Sequence, residues 1–105
     1  MDELLQMLAE MQIPYAYDHF TEGESPSPPF ICYLLPSSNN FSADGKVYFK
    51  KSSVHIELYT DKKDLMREGT VETVLDNHGF FYNKSEVWIE SEKLYEVLYI
   101  FELEV

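Results

Sequence analysis

Glycine, cysteine and basic residues are all scarce in this chain, and each scarcity excludes something. Four glycines in 105 residues leave few places for backbone to wrap a phosphate, and there is neither a glycine-rich phosphate loop nor a G-x-S-x-G turn. A single cysteine, Cys32, excludes an internal disulfide framework and fits a reducing compartment. It lies in the apolar run Phe30-Ile31-Cys32-Tyr33-Leu34-Leu35, where a lone thiol reads as a small buried hydrophobe. Lys and Arg number 8 against 19 Asp and Glu, a formal charge of −11. Affinity for a nucleic-acid backbone comes from releasing phosphate counterions and needs the opposite sign, so sequence-independent DNA binding is not expected, nor is docking on an anionic membrane, and no specific nucleic-acid partner is expected. No apolar run approaches a membrane span, and Met1-Asp2-Glu3 has the wrong sign for a secretory leader. A cytoplasmic protein is expected.

What the chain does have is material for a core. Apolar residues make up 45% and aromatics 15%, with eight Tyr and seven Phe, enough for one folded domain over residues 1–105. The acidic balance favours solubility, and a partner with a basic surface.

The stretch from Lys46 to Gly79 organises the rest. In its first half Val54, Ile56 and Leu58 alternate with His55, Glu57 and Tyr59, the period of a half-buried strand. In its second half Val71, Val74, Leu75 and His78 fall on one helical face. Asp61 is the expected N-cap, with Asp64 at the third helical position, and Gly79 stands where a left-handed C-terminal cap is wanted.

Before this stretch, residues 2–12 predict a helix with Leu4, Leu5, Leu8 and Met11 on its stripe, Met7 adjacent, and Ile13-Pro14 as its end. Residues 15–20 are a short strand or an extended connection, and the proline-rich segment 21–29 is a stiff loop. A strand over 30–35, stopped by Pro36, pairs with 46–60 as a hairpin with a flexible tip centred on Phe41. After the helix come a strand over 80–90 and a final strand from Leu94. On that last strand Tyr95, Val97, Tyr99, Phe101, Leu103 and Val105 line one face, while Leu98 and Ile100 make the other face apolar at its centre. Such a strand lies under a helix or lends its second face to another subunit. The expected class is α+β: a mainly antiparallel sheet of about four to five strands with two helices packed on one face.

Chemistry is sparse. His19, His55 and His78 fall on different predicted elements, without H-x-x-x-H or C-x-x-C spacing. With 19 carboxylates, pairs arise by chance and identify no acid–base dyad, and no nucleophile has a plausible histidine partner. The expectation is a protein that is not an enzyme, with no catalytic residues, metal or cofactor. Trp88 admits two readings: ordinary packing on a strand, or, being of opposite parity to Val87 and Ile89, an outward position with Glu86 and Glu90, the composition of an interface hot spot.

The residues that carry a resemblance run from Phe30-Ile31-Cys32-Tyr33-Leu34, through Asn40-Phe41-x-Ala43-Asp44-Gly45-Lys46-x-Tyr48, to Val54-x-Ile56-Glu57-Leu58-Tyr59-Thr60-Asp61-Lys62-Lys63-Asp64. They resume from Tyr82-x-Lys84-x-Glu86-Val87-Trp88-Ile89-Glu90 to Val97. Over almost its whole length the chain resembles the tail terminators of long-tailed phages and prophages, also described as minor tail or head–tail joining proteins. It departs from their pattern at Leu65-Met66, where a proline or an acidic helix start is expected. The resemblance implies structural work without catalysis. The implied assembly is a ring, usually a hexamer, that caps the tail tube and meets the head connector. The implied partners are further copies of the chain, the major tail tube protein and the head–tail connector protein, in the host cytoplasm during assembly and then in the virion tail or neck. Interface candidates are Phe41, Asp44, Tyr48, Trp88, Leu98 and Ile100. Two competitors remain: an acidic DNA mimic that occupies a nuclease or regulator, which needs a continuous carboxylate stripe, and a small metal-dependent hydrolase, which needs the histidines.

Overall fold

Alternation along the longest strands decides which side of the sheet the helices cover. The computed structural model describes residues 2–20, 26–43 and 46–104, excluding the side chains of 39–50. In chain order the elements are α1 (Asp2–Met11), β1 (Tyr15–Tyr17), β2 (Phe30–Ala43), β3 (Lys46–Thr60), α2 (Leu65–Asn77), β4 (Asn83–Ile89) and β5 (Leu94–Glu104). The strands form one sheet in the order β1-β2-β3-β5-β4. All pairings are antiparallel except β1 with β2, which is parallel. The class is α+β, as the sequence indicates.

Val54, Ile56 and Leu58 of β3 and Val97, Tyr99, Phe101 and Leu103 of β5 share one core with Leu4, Met7, Leu8 and Met11 of α1 and Val71, Val74 and Leu75 of α2. Both helices therefore pack on the same face. The α1 stripe is Leu4, Met7, Leu8 and Met11, the i, i+3, i+4, i+7 set. Leu5, expected on that stripe, is exposed, because one position of rotation carries it off the core face. The helix stops at Gln12, which adopts a left-handed conformation (φ 55), ahead of Pro14.

Three boundaries differ from the sequence reading. Pro36 does not stop β2: the register shifts between Leu34 and Ser37, so the bulge takes the proline out of the ladder, where its missing N–H breaks no pairing. Asp64 caps α2, not Asp61. The Asp64 carboxylate accepts the Arg67 backbone N–H at 3.0 Å, so Leu65 is the first helical residue. Finally, β4 begins at Asn83 and not at 80. The Gly79 N–H goes to Asp76 O and the Phe80 N–H to Leu75 O, both at 3.0 Å, with Gly79 at φ 78. This is the paired Schellman closure. It commits Phe80 to the helix end and seats its ring on Phe101 at 5.1 Å.

Candidate interaction surface

Two sets of charged side chains stand out, one that ties elements of the fold together and one on the helix-free face of the sheet. In the first group, Glu68 occupies a core position of α2 and is 2% exposed. Lys63 lies 2.7 Å from one of its oxygens and Lys84 of β4 lies 2.8 Å from the other; neither contact is a well-aligned hydrogen bond. Burial raises the Glu68 carboxyl, but the two ammonium groups outweigh it and hold it below its ordinary value. Lys84 also reaches Glu72 at 2.7 Å, and Lys63 also pairs with Glu86. This chain of charges fastens the edge strand β4 to α2.

A second clamp joins the helices. His78, the C-cap residue of α2, places Nδ1 3.0 Å from Glu3 and Nε2 3.0 Å from Glu10 of α1. Hydrogen bonds to Glu3 and then Glu10 raise its pKa. The carboxylates sit on opposite ring nitrogens, so the arrangement is a bridge. His19 is exposed and bonded to its neighbour Asp18, while His55 is half-buried on the other face of the sheet. The three histidines are thus kept apart, and among the described residues no group of His, Cys, Asp and Glu could hold a metal ion. The sequence reading missed both clamps. Their signals were the seven-residue spacing of Glu3 and Glu10, which places them on one helix face, and a glutamate within the apolar stripe of α2.

The opposite face of the sheet carries no helix. Across it runs a row of Leu34, His55 and Ile100, directly opposed in register, and beside it a row of Cys32, Glu57 and Leu98. A third row holds Phe30, Tyr59 and Glu96, with the Phe30 and Tyr59 rings stacked at 5.1 Å. Tyr59 donates to Glu57 at 3.1 Å. The Glu96 carboxyl is raised by burial first and by Glu57 second. The Cys32 thiol is pushed up to about 11, by burial and then by Glu57, Asp18 and Glu96, so at neutral pH it is a protonated and poor nucleophile. Among the described residues no lysine or arginine forms an ion pair with Glu57 or Glu96. Over the described residues the face is a mixed apolar and acidic surface.

Of the residues singled out from sequence, Leu98 and Ile100 come together here, as successive outward positions of β5. Trp88 keeps the expected parity with Glu86, but that side of β4 is the one facing α2. Trp88 is 40% exposed, packs on Tyr95 at 4.7 Å and donates to Glu90 at 2.6 Å. Phe41 pairs with Phe49 far out on the β2–β3 hairpin, and Tyr48 is the extra residue at the register shift beside that pair. Asp44 lies outside the described residues. A carboxylate stripe that imitates DNA would need free acidic groups, yet Glu3, Glu10, Glu68, Glu72, Glu86 and Glu90 are engaged by the chain's own Lys and His.

No protein-family model matches the chain, and no curated protein sequence matches it. Its fold is similar to that of a chain in the solved virion of a native gene transfer agent particle. The TM-score is 0.67 at 11% identity, covering 99% of this chain and 89% of that one.

Proposed function

We propose that the chain is a structural component of a phage or prophage virion. Within it, the chain is a non-enzymatic subunit of a ring, of six copies, that ends the tail tube and joins it to the head connector. The observation that carries this reading is the likeness in fold to a chain of the gene transfer agent virion, which extends over 99% of the chain. The resemblance of residues 30–64 and 82–97 to tail terminators supports the finer role. The partners are other copies of the chain, the tail tube protein and the connector protein, met in the host cytoplasm and retained in the virion tail or neck. Phe41, Asp44, Tyr48, Trp88, Leu98 and Ile100 serve as contact residues in this reading.

Light scattering over a range of protein concentration, with and without magnesium and with the tube protein added, tests it. Negative-stain images of any large species complete the experiment. Closed rings of about six copies, as cyclic symmetry allows, are expected. A monomer under all of these conditions, tube protein included, overturns the reading.

A further inference from the structure

Most of the basic side chains that the structure describes stand against carboxylates of their own chain: Lys51, Lys63, Lys84 and Lys93. Lys62 and Arg67, at the start of α2, do not; among the described residues neither forms an ion pair. Arg67 is the single arginine of a chain with 19 acidic residues, and its guanidinium meets only the Met66 sulfur, Nη1 to Sδ 3.8 Å. Leu65 and Met66 beside it are 71% and 74% exposed, although α2 buries Val71, Val74 and Leu75 in the core. Two long apolar side chains and an unpaired guanidinium thus form one protrusion on the first turn of α2. Met and Arg are enriched where proteins meet, and Arg is a frequent anchor of binding energy.

The complement lies on the helix-free face of the sheet. A pocket of about 320 Å³ opens there between the residues after β1, the start of β2, the end of β3 and the β4–β5 turn. That is the small end of the range for ligand pockets, with room for one long side chain. The Phe20 ring meets Phe30 edge-on at 5.5 Å, and Phe30 stacks on Tyr59 at 5.1 Å, so one wall is aromatic. Asp18 and Glu92 also line it. The Tyr59 hydroxyl donates to Glu57 at 3.1 Å, which fixes a third carboxylate at its edge. Asp18 is engaged by His19, whereas Glu57 and Glu92 have no basic partner among the described residues. A guanidinium suits such a site, because its plane stacks on aromatic rings and its donors form paired hydrogen bonds to carboxylates. A lysine ammonium has no such plane, which favours Arg67 over Lys62. Since α2 packs on the opposite face, the sheet separates Arg67 from the pocket of its own chain.

We infer that Arg67 of one copy, with Leu65 and Met66 beside it, docks in the pocket walled by Phe20, Phe30 and Tyr59 of a second copy, its guanidinium meeting Glu57 and Glu92. This rests on the reading that the chain assembles with itself and names the two surfaces that meet. The contact joins different surfaces of the two copies, so each bound copy presents a free protrusion and a free pocket, and repetition closes a ring where the rotation allows.

Exchange of charge between two populations of the full chain tests the contact, with association followed by light scattering and negative-stain images. Arg67→Glu reverses the protrusion in one population. Glu57→Gln with Glu92→Lys reverses the pocket in the other, the glutamine keeping an acceptor for Tyr59. Urea midpoints establish that both variants are folded. Each alone is expected to associate about tenfold or more weaker than the unaltered protein. Their equimolar mixture regains association, because every altered surface then meets its complement. A mixture of folded variants that stays as weak as either alone overturns the inference. Closed rings formed by the Arg67→Glu protein alone overturn the docking and leave the ring standing; if the pocket variant nevertheless fails to assemble, the pocket takes an arginine of another protein. Restored association, with the unaltered protein forming only open-ended or two-copy species, sustains the docking and overturns the ring. An unaltered protein that stays monomeric under every condition, tube protein included, overturns both.

Discussion

Tyr99 donates a 2.8 Å hydrogen bond to Glu72, from the middle of the sheet to the helix above it. Tyr99 is fully buried, and a hydroxyl so placed needs a partner. Burial and then the Glu72 contact push its phenol up, well away from ionisation. Lys84 shares the same Glu72 oxygen at 2.7 Å, which makes this carboxylate the junction of α2, β4 and β5. Replacing Tyr99 with Phe keeps the ring and removes the donor. The expected loss is about 1.5–3 kcal/mol, the range for hydrogen bonds to charged groups, read as a lower urea midpoint with an unchanged slope. A loss under about 0.5 kcal/mol would mean that water or Lys84 replaces the hydroxyl at no cost.

The Glu68 network makes the protein sensitive to acid. Its carboxyl is held below the ordinary 4.5 because Lys63 and Lys84 outweigh the effect of burial. A depressed folded-state pKa gives stability that is fully present above the unfolded value and is lost as pH falls through the folded one. Unfolding free energy should therefore fall steeply below pH 4.5, and Glu68→Gln should flatten that fall while lowering stability at neutral pH. Equal slopes for wild type and variant between pH 5 and pH 3 would assign the acid sensitivity to other carboxylates.

His78 carries the opposite sign. Its pKa is raised above 6.5 by Glu3 and Glu10, so the bridge between the helices contributes fully below pH 6.5 and is lost as pH rises through the raised value. Urea unfolding of the wild type should show stability declining above pH 6.5, whereas His78→Gln should be flat across the same range and less stable at its acid end. A wild type that does not weaken between pH 6 and pH 9 would show the bridge to be energetically idle.

The frame of the fold was legible because it rests on periodicity. The alternation of Val54, Ile56 and Leu58 gave β3 its buried face, and the mixed faces of β5 allowed an interior position as one of two readings, the position it takes between β3 and β4. What was not legible depended on partners distant in sequence. Glu68 interrupts the apolar stripe of α2, but its partner Lys84 lies sixteen residues on, and the Glu3–Glu10 spacing names no partner until α2 brings His78 across. Pro36 misled because a bulge is a property of the paired strands, and neither strand shows it alone. The acidic and apolar face was half visible: Leu98 and Ile100 were seen on one strand, but Leu34, Glu57 and Glu96 join them only through the register.

The cap of α2 offers the sharpest test of a boundary. Both Asp61 and Asp64 precede the helix, and sequence spacing made Asp61 the cap with Asp64 inside. In the structure the Asp64 carboxylate accepts the backbone N–H of Arg67 at 3.0 Å, and its backbone, at φ −129 and ψ 85, is outside the helix. Asp61 is exposed, in the connection that follows β3. An N-cap aspartate replaced by alanine typically costs about 1 kcal/mol, since one of the unpaired N–H groups at the helix start loses its acceptor. An exposed connecting residue costs within about 0.5 kcal/mol. Asp64→Ala should therefore lower the thermal midpoint by several degrees, roughly 4–8 °C per kcal/mol for a domain of this size, and Asp61→Ala should leave it nearly unchanged. The reverse order would move the start of α2 back by one turn and place Leu65 and Met66 within the helix body.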